Sequence, residues 1–144
     1  MMNKSEQWTR EELNLRQQIE QGFTVVCNSS VSGPYNNLVK WAKENNKFTY
    51  IGRRNWHYEA SKWRNEPPKE LKKDNAAAID YFINEIYNKR PDLRAAIGEL
   101  KGQVLGCWCK PAACHGDFLA DQANKKKVKD DEAMVYIMNW IKGE

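Results

Sequence analysis

Three of the chain's four cysteines fall within one short segment, Cys107-Trp108-Cys109-Lys110-Pro111-Ala112-Ala113-Cys114-His115-Gly116-Asp117. A thiol acts as nucleophile or metal ligand only as thiolate, and it ionises beside imidazole, a cation or the free N–H groups of a helix start. Gln103 to Cys109 reads as a strand, so Cys107 and Cys109 are expected on one face, with Trp108 between them on the other. Cys114 or His115 is expected to open the next helix, where unpaired N–H groups favour an anion or a thiolate. The segment therefore gathers thiols, an imidazole and a carboxylate around one point.

Three chemistries stay open for it. Cys107, Cys109, Cys114 and His115 are the donor types of a tetrahedral zinc site, although the spacing is not that of a zinc knuckle. Zinc is the one cofactor the residues suggest. Alternatively, Cys114 is a nucleophile and His115 or Asp117 its proton carrier, in an enzyme acting on a nucleotide or base. In the third reading the cysteines are small apolar fillers behind a strand and His115 caps a helix.

A second group lies between Arg53 and Asn65: Arg53, Arg54, Trp56, His57, Tyr58, Lys62, Trp63, Arg64 and Asn65. Guanidinium groups hold phosphate through paired hydrogen bonds, and aromatic faces stack on bases. Ser29 and Ser30, after the first predicted strand, add hydroxyl donors. Together with Cys109, Lys110 and His115, these residues are the expected binding set for an anionic, nucleotide-derived small molecule. The plainer alternative is a solvated charged loop with anchoring aromatics. Nucleic acid is a further candidate partner, with Lys125-Lys126-Lys127 and Lys129 contributing. The formal charge of +4 permits an anionic ligand without demanding a polynucleotide.

These groups need a frame. Thr9-Arg10-Glu11-Glu12 has the pattern of a capping box and predicts a helix from about Arg10 to Gln21, stopped by Gly22 and packed peripherally. Phe23 to Asn28 predicts a strand. Pro34 fits the start of a helix capped by Ser32 or Gly33 and running to about Asn46. Phe48 to Gly52 is a second strand, and Asp74 caps a helix to about Asn88. Pro91 opens a short helix with Leu93, Ile97 and Leu100 inward, and Gly102 closes it. The strand at Gln103 and the helix after Cys114 follow, then a last amphipathic helix marked by Met134, Ile137, Met138 and Ile141. Strands separated by helices imply an α/β fold with a small, mostly parallel sheet flanked by helices. In such sheets ligands collect at the carboxyl ends of the strands, so the loops after all three strands are expected to converge on one pocket.

The run from Leu100 to Leu119, centred on Cys-Trp-Cys-Lys-Pro…Cys-His-Gly-Asp, resembles the signature of an uncharacterised bacterial and phage family, domain-of-unknown-function family 4326. Tyr50-Ile51-Gly52-Arg53 resembles its second block, and Ser61-Lys62-Trp63-Arg64-Asn65-Glu66-Pro67 its third, usually Lys-Trp-x-Asn-Pro. Glu66 interrupts that Asn-Pro pair. The resemblance covers roughly residues 23 to 124, with 33 to 46 as extra material. It implies no activity, only kinship to small nucleotide-associated α/β domains; the family's spread implies that in a phage-encoded protein sequestering a nucleotide signal would be one use.

The 144 residues suit one domain, with terminal helical additions at 1–22 and 125–144, and can bury a core without disulfides. Hydrophobic residues make up 41% and charged residues 29%, as in soluble globular proteins. No apolar run nears the roughly 20 residues that cross a bilayer. The N-terminus lacks an apolar signal core, so the expected compartment is the cytoplasm. Oligomeric state leaves no trace in the sequence.

Overall fold

Short apolar runs form the centre of the molecule. A computed structural model of the chain describes residues 7–125. Its strands are β1 (Val25–Asn28), β2 (Phe48–Tyr50) and β3 (Val104–Cys107). All pair in parallel, in the order β1-β3-β2, with Val104 opposite both Val25 and Phe48. The last strand to be made is thus the middle one. Its four residues are all buried, which is why its sequence is continuously apolar rather than alternating.

Helices cover both faces. α1 (Arg10–Glu20) and α2 (Asn36–Glu44) lie on one side, where Ile19, Leu38, Val39 and Ala42 pack on Val25, Cys27 and Val104. On the other side are α3 (Asn75–Tyr81), α4 (Pro91–Ala96) and α5 (residues 115–125). From these and the loop after β2, Trp63, Phe82, Leu93, Leu100 and Leu119 pack against Leu105 and Cys107. The chain is an α/β fold with a small parallel sheet between two helical layers.

The local signals hold where the chemistry is local. Thr9 Oγ1 accepts the Glu12 N–H and Glu12 accepts the Thr9 N–H, both at 3.0 Å, which is the reciprocal capping box. Asp74 caps α3 by accepting from Ala77 N–H. Gly22 and Gly102 take positive φ, 93° and 67°, where the chain turns back into β1 and β3.

Other expectations are corrected. The α1 layer is not peripheral, since Ile19 sits in the core. Neither Ser32 nor Gly33 caps α2; its N-cap is Tyr35, which makes no side-chain cap bond. The helix from Asp74 changes pitch: α3 passes into a π-helical stretch, Phe82–Tyr87, which buries Phe82 and Tyr87. β3 ends at Cys107, so Trp108 and Cys109 belong to the turn beyond it. The last predicted helix, with Met134 to Ile141, and Lys126, Lys127 and Lys129 lie outside the described residues, as do residues 1–6. Among the described residues no helix is long and apolar enough to cross a membrane.

Candidate functional site

Where β2 and β3 end, the chain leaves a cavity of about 230 Å³. Gly52 and Arg53 enter it from the β2 side, Cys107, Trp108 and Cys109 from the β3 side, and Cys114 and His115 from the start of α5. Asn65, Lys72 and Asn75 close it from the long loop and the start of α3. The carboxyl ends of parallel strands thus open on a concave wall built from several loops, the usual ligand position in open α/β sheets.

Two groups hold the turn after β3. Asn28, the last residue of β1, donates its side-chain amide to the carbonyls of Trp108 (3.3 Å) and Lys110 (2.9 Å). Ser29 donates its hydroxyl to the Cys107 carbonyl at 3.1 Å and is fully buried. That corrects the expectation for Ser29, whose hydroxyl is spent on the sheet rather than on a ligand. Ser30 lies in the turn after β1, with its hydroxyl 3.4 Å from that of Ser32, and does not line the cavity.

The start of α5 fixes the thiols. Asp117 accepts the Cys114 N–H at 3.1 Å and is ion-paired with Lys110, so the carboxylate caps the helix and ties down the turn. Gly116 is required here: a Cβ would come within 2.6 Å of Ile51 Cδ1 and 3.0 Å of Val26 Cγ1. His115 turns inward, its Nε2 2.9 Å from the Ile51 carbonyl oxygen and its ring 4.9 Å from that of Phe82. Asp117 and His115 therefore hold structure with the groups that the sequence offered for proton transfer.

Cys114 Sγ and Cys107 Sγ lie 3.6 Å apart. Interaction with the Cys107 thiol and then the Cys109 thiol draws the Cys114 thiol far down, with the Gly116 backbone and His115 adding to this against burial. Contact with Cys114 and then burial shift Cys107 and Cys109 upward, and the Cys107 thiol donates to the Cys27 carbonyl at 3.6 Å. All four cysteines are free thiols. The zinc reading does not fit: among the described residues no three His, Cys, Asp or Glu side chains are arranged to hold a metal ion. His115, the fourth ligand in that reading, points its ring at backbone.

Burial pushes the His115 pKa below 6.5, chiefly by desolvation. A neutral buried histidine contributes stability in full above its unfolded value of 6.5, and that stability is lost as pH falls through the folded value. Unfolding free energy measured in urea is expected to fall by up to roughly 1.4 kcal/mol per pH unit below about pH 6.5. His115→Asn should flatten that slope; an unchanged slope would assign it to other groups.

The basic and aromatic loop divides. Arg53 and Asn65 reach the cavity. Lys62 and Arg64 do not: Lys62 pairs with Glu99 at 2.7 Å and Arg64 with Glu66 at 2.6 Å, over a separate surface cleft. Trp63, expected to stack on a ligand, is only 2% exposed and belongs to the core. Trp56 is fully exposed and, with Arg54, stands outside the cavity wall. Lys110 is engaged with Asp117. Lys125, the one described lysine of the basic run, pairs with Asp121.

Sequence reasoning missed Trp108 as a ring at the rim. Its indole N–H donates to Tyr50 Oη at 2.8 Å, and Tyr50 stacks on Tyr58 with centroids 4.3 Å apart. It also missed Lys72 and Asn75, which nothing local distinguishes from other surface residues.

Residues 37–125 match the domain of unknown function DUF4326. The chain belongs to this family. The matched span covers β2, β3, the cavity loops and α5, and leaves β1 outside. It begins within α2, so part of the segment read as extra material lies inside the family. A relative in Enterobacteria phage T4, an uncharacterized 12.4 kDa protein in the nrdA-td intergenic region, is 38% identical over 58 residues. That alignment takes in 38% of this chain and 53% of the phage protein, so the chain spans about half the length of the curated relative it matches. No solved structure matches.

Proposed function

We propose that this cavity binds a small, anionic, nucleotide-derived ligand. The observation that carries the reading is Asn65. Its Nδ2 donates to the Ala78 carbonyl at 2.9 Å, which fixes the amide, while its buried Oδ1 has no partner. A buried acceptor without a donor costs about 1–3 kcal/mol, so an N–H from a ligand, such as the edge of a base, would relieve a standing penalty. Arg53 and Lys72, which also line the cavity, make no ion pair within the described residues. Cations left unpaired beside a cavity suit a phosphate at the rim. Trp108 offers a partly exposed ring to the same space. A volume near 230 Å³ is small for a ligand site and suits a base with its phosphate outside.

Thermal unfolding of the full chain against a panel of nucleoside monophosphates and cyclic and linear nucleotides tests this. At a hundredfold excess over Kd, the matching ligand should add about 2.7 kcal/mol, a rise of about 5–10 °C. Arg53→Ala should abolish most of the rise. Lys62→Ala and Arg64→Ala should leave it intact, because both side chains are engaged elsewhere. If no nucleotide moves the transition, or Arg64→Ala acts like Arg53→Ala, the reading fails.

A second reading, in which Cys114 attacks the bound molecule, is favoured by one observation: this thiol lines the cavity and is drawn toward thiolate. Conversion of a bound nucleotide by the wild type but not by Cys114→Ser, with binding kept, would favour the enzyme.

A further inference from the structure

Thiols react with oxidants according to thiolate character and access, and a thiol next to a second thiol is captured as a disulfide. Cys27 fails on both counts. Like Cys107 and Cys114 it is buried, but it lies on the α1–α2 side of the sheet away from the cavity, and desolvation raises its thiol to about 12. The three others share the cavity. Cys114 sits at the start of α5 with Cys107 Sγ at 3.6 Å, both lining a space open to small molecules. Both are free thiols.

We propose that Cys114 is a site of reversible oxidation by hydroperoxides, captured as a disulfide with Cys107 across the floor of the cavity. The Cys114 thiolate attacks the terminal oxygen of the hydroperoxide. An S–O bond forms, the O–O bond breaks, and the departing alkoxide leaves as the alcohol after taking a proton. Cys114 is then a sulfenic acid, oxidised by two electrons. Cys107 attacks Cys114 Sγ, the S–S bond forms, the S–O bond breaks, and hydroxide leaves with the Cys107 proton as water. Two thiols and one hydroperoxide give one disulfide, one alcohol and one water.

Several features select this pair. Cys114 is the cavity thiol whose ionisation its neighbours favour, while contact with Cys114 and burial hold Cys107 and Cys109 protonated. Cys107 needs little movement, since its sulfur already lies 3.6 Å from that of Cys114. Cys109 is more exposed but stands on the turn beyond β3. The proposal stands whether or not the cavity binds a nucleotide.

Treatment of the full chain with one equivalent of hydrogen peroxide, followed by trypsin without reductant, tests it. Because Lys110 precedes proline, residues 102–125 remain one peptide carrying all three cavity cysteines. The expected result is loss of two hydrogen masses from this peptide, restored by dithiothreitol. The loss should persist in Cys109→Ala, where only Cys107 and Cys114 can pair within it. In Cys107→Ala, a sulfenic acid on Cys114 should accumulate and be trapped by dimedone. Cys109→Ala alters an exposed side chain, so its result stands even if Cys107→Ala does not fold. The proposal is overturned if Cys109→Ala removes the mass loss, or if Cys114 stays reduced while Cys109 is oxidised.

Discussion

Trp63→Ala is expected to lower the unfolding free energy by about 3–5 kcal/mol, the cost of emptying a buried aromatic site. The residue is 2% exposed and packs with Ile51, Phe82 and Leu105 in the core beneath the cavity. A domain of this kind has about 5–15 kcal/mol in all, so the variant should sit near the edge of folding. Trp56→Ala, at a fully exposed position in the same loop, should change stability by less than about 0.5 kcal/mol. Urea unfolding of both variants separates the roles. A loss below 1 kcal/mol for Trp63→Ala, with ligand binding gone, would return Trp63 to the stacking role that its basic neighbours suggest. The Ser-Lys-Trp block is thus read as architecture: Ser61 accepts the Trp63 N–H at 3.0 Å, and its own N–H bonds the Gly52 carbonyl at 3.0 Å.

That tryptophan marks where sequence reading works and where it stops. Elements held by local rules were legible. The β-rich runs became strands, the Thr9–Glu12 pair closed its box, and Asp74 began a helix. Convergence of the β2 and β3 loops was legible too, because parallel strands send their ends to one edge. Side-chain direction within an irregular loop was not. Lys62, Trp63 and Arg64 are adjacent in sequence and read as one binding cluster. Once Trp63 turns into the core, its neighbours are carried outward, where Glu99 and Glu66 meet them. Ser29 was misread because a hydroxyl after a strand serves a ligand or the next strand equally well, and the Cys107 carbonyl claims it. Lys72 and Asn75 reach the cavity only through packing of the segment around α3, and no local pattern encodes that approach. The thiol cluster was visible as a cluster, but its inner geometry depended on where β3 ends. Stopping at Cys107 separates Cys107 from Cys109 and leaves Cys107 against Cys114.

Glu12→Ala is expected to cost about 2–4 kcal/mol, far more than an ordinary capping-box residue, because charge-assisted hydrogen bonds contribute about 1.5–3 kcal/mol each. Glu12 is 1% exposed. One carboxylate oxygen accepts the Thr9 N–H of its own helix at 3.0 Å, and the other accepts the Leu38 N–H at 2.8 Å, in the first turn of α2. Asn37 Nδ2 approaches the first oxygen at 3.4 Å. One side chain thereby caps two helices, which explains why Tyr35 at the α2 N-cap supplies no side-chain cap bond. The negative charge also faces the positive end of the α2 dipole. Removing it leaves a buried Leu38 N–H without an acceptor and unties α1 from α2. Glu12→Gln should recover only part of the loss, since a single carbonyl oxygen cannot serve both donors. The α1–α2 layer backs β1, whose Asn28 holds the turn of Trp108 to Lys110. Glu12→Ala should therefore loosen the cavity rim as well, read as faster amide hydrogen exchange at Cys109 and Ala112 than in the wild type. Equal exchange at those amides, with stability unchanged, would mean that α2 finds its cap without Glu12.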